Sequence, residues 1–115
     1  FSSAGHPRQY LLNNGNVIPL ASTGTIIGFK KNMDYELHYQ KFINGSKLVL
    51  FTDGLYEEFS ENDIEFGEKR LYKYVEKITK LNIAAIVNSI VKEIDIWRGN
   101  RAPYDDVVLI GVEYI

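Results

Sequence analysis

The sequence contains no cysteine. That excludes disulfides, thiolate metal sites and a cysteine nucleophile together, and it fits a reducing compartment. No apolar stretch approaches the roughly 20 residues that span a bilayer, and no signal peptide is visible. A cytoplasmic domain is therefore expected, whose parent protein could be anchored to a membrane through upstream segments. No basic patch stands out among 13 Lys and Arg set against 15 Asp and Glu. Nucleic acid and anionic membranes are accordingly poor candidate partners. There is no internal repeat, low-complexity stretch or linker. The chain opens on Phe1 rather than Met, so a piece of a longer protein is expected. Its 115 residues are enough for one domain with a real core.

What is present is organised around Lys47-Leu48-Val49-Leu50-Phe51-Thr52-Asp53-Gly54-Leu55-Tyr56-Glu57. The apolar run Leu48–Phe51 suits a strand buried on both faces. It ends in a carboxylate followed by glycine. An acid at the mouth of a buried strand can hold a cation on a rigid support. Asp-Gly is also a strong turn dipeptide, and both readings stay open on this stretch alone.

Upstream, Phe1–Ala4 reads as a short strand end, broken at Gly5-His6-Pro7. Residues 8–20 read as a hairpin around Asn13-Asn14-Gly15-Asn16. Ala21–Gly28 is loop-like. Tyr35–Phe42 alternates, with Tyr35, Leu37 and Tyr39 on one face, and predicts a half-buried antiparallel strand. Asn44-Gly45 predicts a hairpin turn leading into the central strand.

Downstream, the period changes. Leu71, Val75 and Ile78 recur at helical spacing. Asn82 is a plausible N-cap for a second helix with Ile83, Ile86, Val87, Ile90, Val91 and Ile94 on its apolar face. Gly99 and Pro103 end it. Val107–Val112 predicts a second buried strand.

This order brings acids together. Two helices of roughly 14 to 16 residues, about 21–24 Å each, carry the chain out and back. The last strand then starts at the end of the sheet where the central one stopped and runs antiparallel to it. If the two strands are near neighbours, Asp53 and Asp105-Asp106 lie close together. Such a group of carboxylates suits Mg²⁺ or Mn²⁺, which take oxygen ligands. The bland alternative is that Asp53 closes a turn, Asp105 caps a loop and Asp106 is solvated. His6, before a proline, reads as structural or as a metal or phosphate ligand. His38 faces solvent. Trp97 and Arg98 read as packing and a helix C-terminal charge.

Ala4-Gly5-His6-Pro7, the glycine loop ending at Gly28, Leu50–Glu57, Phe66-Gly67-Glu68-Lys69-Arg70-Leu71 and Asp105-Asp106-Val107-Val108-Leu109 together carry a resemblance. In order and spacing the chain resembles the C-terminal half of bacterial PPM/PP2C-type serine/threonine phosphatase domains, of the sporulation-stage-II-E and RsbU-like branch. The resemblance implies an α+β fold: antiparallel β-sheets with an antiparallel helix pair, part of an α-β-β-α sandwich. It implies a binuclear Mn²⁺ or Mg²⁺ centre hydrolysing phosphoserine or phosphothreonine, with Asp53 and Asp105 as metal ligands. Asp106 then stands behind the ligands, and Gly54 permits a sharp backbone turn. The implied substrate is a phosphorylated protein of the anti-sigma-factor-antagonist type, with a sensor domain upstream. The family's Asp-x-x-Gly-His-Gly-type motif, which carries a metal-bridging Asp, does not occur here. Residues 1–115 thus read as the C-terminal portion alone, with little or no activity by itself. Its unpaired sheet edges make a homodimer an expectation. The competing readings are a non-catalytic interaction module that keeps the fold, and an unrelated α+β binding domain.

Overall fold

The computed structural model describes all residues, 1–115. Four strands form one antiparallel sheet in the order β2-β1-β3-β4. β1 is Gln9–Asn13, β2 Asn16–Leu20, β3 Lys47–Phe51 and β4 Leu109–Glu113. Two helices, α1 (Glu68–Ile78) and α2 (Ile83–Arg98), lie between β3 and β4 in sequence. This is the expected α+β architecture, with the helix pair on one face of the sheet. No helix is long and apolar enough to cross a membrane.

Alternation decides which residues face the helices. Tyr10, Leu12, Val17, Val49 and Phe51 from the sheet meet Leu71, Val75, Ile86, Ile90 and Ile94 from the helices in one buried cluster. The helical repeats in the sequence are the inward faces of α1 and α2. Asn82 caps α2, its Oδ1 accepting from the Ala85 N–H at 2.8 Å. Gly99 closes α2 with φ of 64°, a conformation that suits glycine. The β1–β2 turn has Asn14 and Gly15 at φ of 50° and 79°, which matches the twist of a tight hairpin.

Polar contacts fix the direction of each helix. At the start of α1, Glu68 approaches Arg8 at the head of β1. Just past its end, the Thr79 carbonyl accepts from Lys47 Nζ at the start of β3. The first N–H of α2 donates to Glu113 at the end of β4, and Arg98 at its far end reaches Glu58, shortly after β3. The helices therefore run antiparallel between the two poles of the sheet. α1 has 11 residues, shorter than expected, and α2 has 16.

Gly111 of β4 faces α2. A Cβ there would lie 2.6–2.8 Å from side-chain carbons of Ile83 and Val87. The missing side chain is what lets the helix settle onto the sheet.

Four local expectations are corrected. Residues 35–42 form no strand. Their alternation is strand-like, but a strand needs a ladder partner. Here only Phe1 offers one, exchanging bonds with His38 alone. Leu37 and Tyr39 are exposed. Phe1–Ala4 likewise makes a single bridge, from Ala4 to Gly24. Asn44-Gly45 turns without a preceding strand, and the Gly45 N–H instead donates to the carbonyl of Tyr114, just past β4. Finally, the apolar runs at β3 and β4 are not buried on both faces. Val49 and Phe51 are buried, but Leu48 and Leu50 are only partly covered. β4 is an edge strand with Ile110 and Val112 exposed. Helices cover only one side of this sheet.

Replacing Gly111 with Ala should lower stability by about 1–3 kcal/mol, the usual scale for overpacking. Urea unfolding would measure it. An unchanged midpoint would mean that α2 moves aside freely.

Candidate metal centre

The site is built where β3 ends and β4 begins. β3 and β4 pair in antiparallel register from Lys47↔Glu113 to Phe51↔Leu109. Thr52 prolongs that pairing beyond the strands. Its N–H donates to the Val108 carbonyl at 3.1 Å. Its hydroxyl accepts from the Val108 N–H at 3.0 Å and donates to the Asp106 carbonyl at 3.3 Å. On the other side of β3, the buried Gln9 side chain performs the matching task. Its amide nitrogen donates to the Phe51 carbonyl at 3.1 Å and its oxygen accepts from the Phe51 N–H at 2.6 Å. The chain can then leave the ladder at Pro7, which has no N–H to offer.

Asp53 opens a single 3₁₀ turn, Asp53–Leu55, rather than a hairpin. The Tyr56 and Glu57 N–H groups both donate to its carbonyl at 3.0 Å. Its Oδ1 accepts from the Gly54 N–H at 3.1 Å. Asp105 Oδ1 accepts from the Asp106 N–H at 2.7 Å. Each of these two aspartates keeps its other oxygen free of protein hydrogen bonds.

Gly54 lies between the two acidic segments. A Cβ on it would stand 2.5 Å from the Asp106 carbonyl oxygen and 3.4 Å from Asp105 Cβ. It is not among the glycines with positive φ. Space, rather than the expected sharp turn, is what glycine supplies here.

Electrostatics marks the same spot. The Glu57 carboxyl is pushed above its ordinary pKa, first by desolvation and then by the negative charges of Asp53, Glu65 and Asp105. The Tyr56 hydroxyl is pushed up by desolvation and then by Glu57, Glu68, Asp53 and Glu65. Asp53, Asp105, Asp106 and Glu57 form no ion pair with any Lys or Arg. Unneutralised oxygen donors of this kind are the chemistry a hard divalent cation prefers. Even so, no three of the chain's carboxylates and imidazoles converge tightly enough to hold one ion between them. The donors fit such a cation in kind but do not by themselves enclose one.

Of the residues singled out in the sequence, Asp53, Gly54, Asp105 and Asp106 are brought together. His6 is exposed and hydrogen-bonded to none of them. It lines a hollow on the open face of the sheet with Leu20, Leu48 and Leu50. His38 is exposed and pairs with Glu36 at 3.1 Å. Trp97 packs on Phe66 and lies under the Arg70 guanidinium. Arg98 does more than charge a helix end, since it bridges Asp95 and the buried Glu58. The roles of Gln9 and Glu58 are not predicted by the sequence. Their partners lie 42 and 40 residues away, beyond the reach of any local pattern.

The whole chain, residues 1–115, matches the family described as Stage II sporulation protein E (SpoIIE). Protein IcfG of Synechocystis sp. is 28% identical over 116 residues, a match that covers 97% of this chain and 18% of that protein. The SiaA-PP2C domain of Pseudomonas aeruginosa superposes with a TM-score of 0.79 at 20% identity, over 97% of this chain and 44% of that one. The phosphatase domain of the cell fate determinant SpoIIE from Bacillus subtilis, presoaked in Mn, superposes with a TM-score of 0.71 at 14% identity, over 96% and 48%. The chain thus spans under half of each solved domain. At these identities the superpositions establish a shared fold.

Glu57→Gln should raise the stability of the metal-free protein slightly, by less than about 1 kcal/mol because the group is only half-buried and solvent screens its charge. Thermal unfolding at low and at about 1 M salt would check it. The gain should shrink in salt, and a loss of stability would contradict the repulsion described.

Proposed function

Since this chain belongs to the SpoIIE family, we propose that it is the C-terminal portion of a metal-dependent protein serine/threonine phosphatase. One observation carries the reading. Asp53 and Asp105 are held at the adjoining ends of two paired strands with no cationic partner. Phosphate is an anion, and a bare carboxylate cluster would repel it. Positive charge must stand between the two for a phosphoprotein to bind.

In this reading Asp53 and Asp105 would each give a carboxylate oxygen to Mn²⁺ or Mg²⁺, of a binuclear pair in the complete domain. The remaining donors come from parts of the domain outside these residues. A bound divalent cation would supply a hydroxide nucleophile near neutral pH and offset the charge that spreads over the phosphoryl group. Thr52 and Gln9 keep the Asp53 backbone still, and Gly54 keeps room for the Asp106 carbonyl. No side chain needs to carry a covalent phosphoryl group, which agrees with the absence of cysteine. The substrate is a phosphorylated regulatory protein, of the anti-sigma-factor-antagonist type, acting in the cytoplasm under a sensor domain upstream.

The full-length protein should hydrolyse p-nitrophenyl phosphate with Mn²⁺, and Asp53→Asn should cut kcat/KM by at least about a hundredfold, beyond what loss of an outer-shell partner costs. An inactive full-length protein would instead favour a non-catalytic interaction module. The unpaired edges of β2 and β4 also support self-association of the isolated chain. Sedimentation should show a concentration-dependent dimer, and a monomer at all concentrations would dismiss it.

A further inference from the structure

Glu58 is a carboxylate with 1% side-chain exposure. Burying a charge this deeply is costly unless it is paired and hydrogen-bonded, and here both oxygens are engaged. Oε2 accepts from the Arg98 guanidinium at 3.2 Å. Oε1 accepts from the Tyr104 backbone N–H at 3.1 Å. Tyr104 immediately precedes Asp105. Glu58 lies five residues beyond Asp53, in the same segment as its 3₁₀ turn.

The surrounding contacts repeat the pattern. The rings of Phe59 and Tyr104 meet edge to face at 5.0 Å. The Asn100 N–H donates to Glu61 at 3.1 Å, and Arg101 donates to the Ser60 carbonyl at 2.8 Å. The segment that follows Asp53 is therefore laced to the segment that precedes Asp105. Glu58 is the only buried member of that lacing.

We propose that Glu58, held by Arg98, is a positioning residue that fixes the Asp105-Asp106 turn against Asp53. This rests on the phosphatase reading for its consequence, though its geometry does not. Glu58 hydrogen-bonds to neither aspartate in question. It acts by clamping the backbone one residue away from Asp105, while Arg98 anchors the clamp to α2.

The test uses the full-length protein with Glu58→Gln, which keeps an acceptor for the Tyr104 N–H but loses the charge that Arg98 needs. Mn²⁺ binding, followed by electron paramagnetic resonance titration, should weaken about 10–100-fold, the range for loss of an outer-shell partner. Activity on p-nitrophenyl phosphate should fall at limiting Mn²⁺ and recover at saturating Mn²⁺ with KM little changed, a rescue that general destabilisation would not give. Amide exchange at residues 104–108 should quicken at least about tenfold. Should Glu58→Gln fail to fold, Arg98→Lys carries the same expectation at smaller size. A folded variant with Mn²⁺ affinity within about twofold of the unsubstituted protein and unchanged exchange would overturn the proposal. If the unsubstituted protein itself binds no Mn²⁺, the phosphatase reading falls. The exchange comparison then decides the clamp by itself: faster exchange upholds it and equal exchange ends it.

Discussion

The hydroxyl of Thr52 joins two acidic segments that lie more than fifty residues apart. It accepts from one N–H and donates to one carbonyl of the chain entering β4. β-Pairing therefore does not stop where the strands stop, and Asp53 and Asp106 leave the sheet from a shared hydrogen-bonded frame. The two helices make this possible by returning the chain to the pole it left. Gln9 does the same for the opposite side of β3, so the end of that strand is braced from both flanks. A side chain that stands in for a ladder bond satisfies the backbone while freeing the chain to turn away, and both braces sit directly before Asp53.

Such rigidity has an electrostatic cost. Like charges that would separate in a flexible loop are kept within reach of one another, and after desolvation they add to the upward shift of the Glu57 and Tyr56 pKa values. The fold holds its acids together without neutralising them, although basic residues are as common as in any ordinary domain. Arg8, Arg98 and Arg101 lie around this pole, yet their charges are spent on Glu68, on Glu58 with Asp95, and on Asp63. Asp53, Asp105 and Asp106 stand exposed at this pole with no basic partner.

Much of this was legible in the sequence because it rests on local signals. Helical spacing gave both helices, Asn82 and Gly99 gave the ends of the second, and Asn14-Gly15 gave the hairpin. The meeting of Asp53 with Asp105-Asp106 followed from element order once β3 and β4 proved to be neighbours. Where the reading failed, the deciding partner was distant. Tyr35–Phe42 has the right alternation but no neighbouring strand to pair with. Val107–Val112 is apolar enough for a core strand, but its place at the sheet edge is a property of topology. Gln9 and Glu58 each look like an ordinary surface residue until a partner some forty positions away arrives.

The hollow at Gly111 has a dynamic implication. Ile83 and Val87 overlie the space that a Cβ at Gly111 would fill. Sliding α2 along the sheet would lift those branched side chains over neighbouring residues before they could settle again. Packed surfaces of this kind tend to exchange between discrete arrangements rather than deform smoothly. Arg98 rides at the far end of that same helix, so a one-notch displacement would reach the acidic pole as a step and not as a gradient.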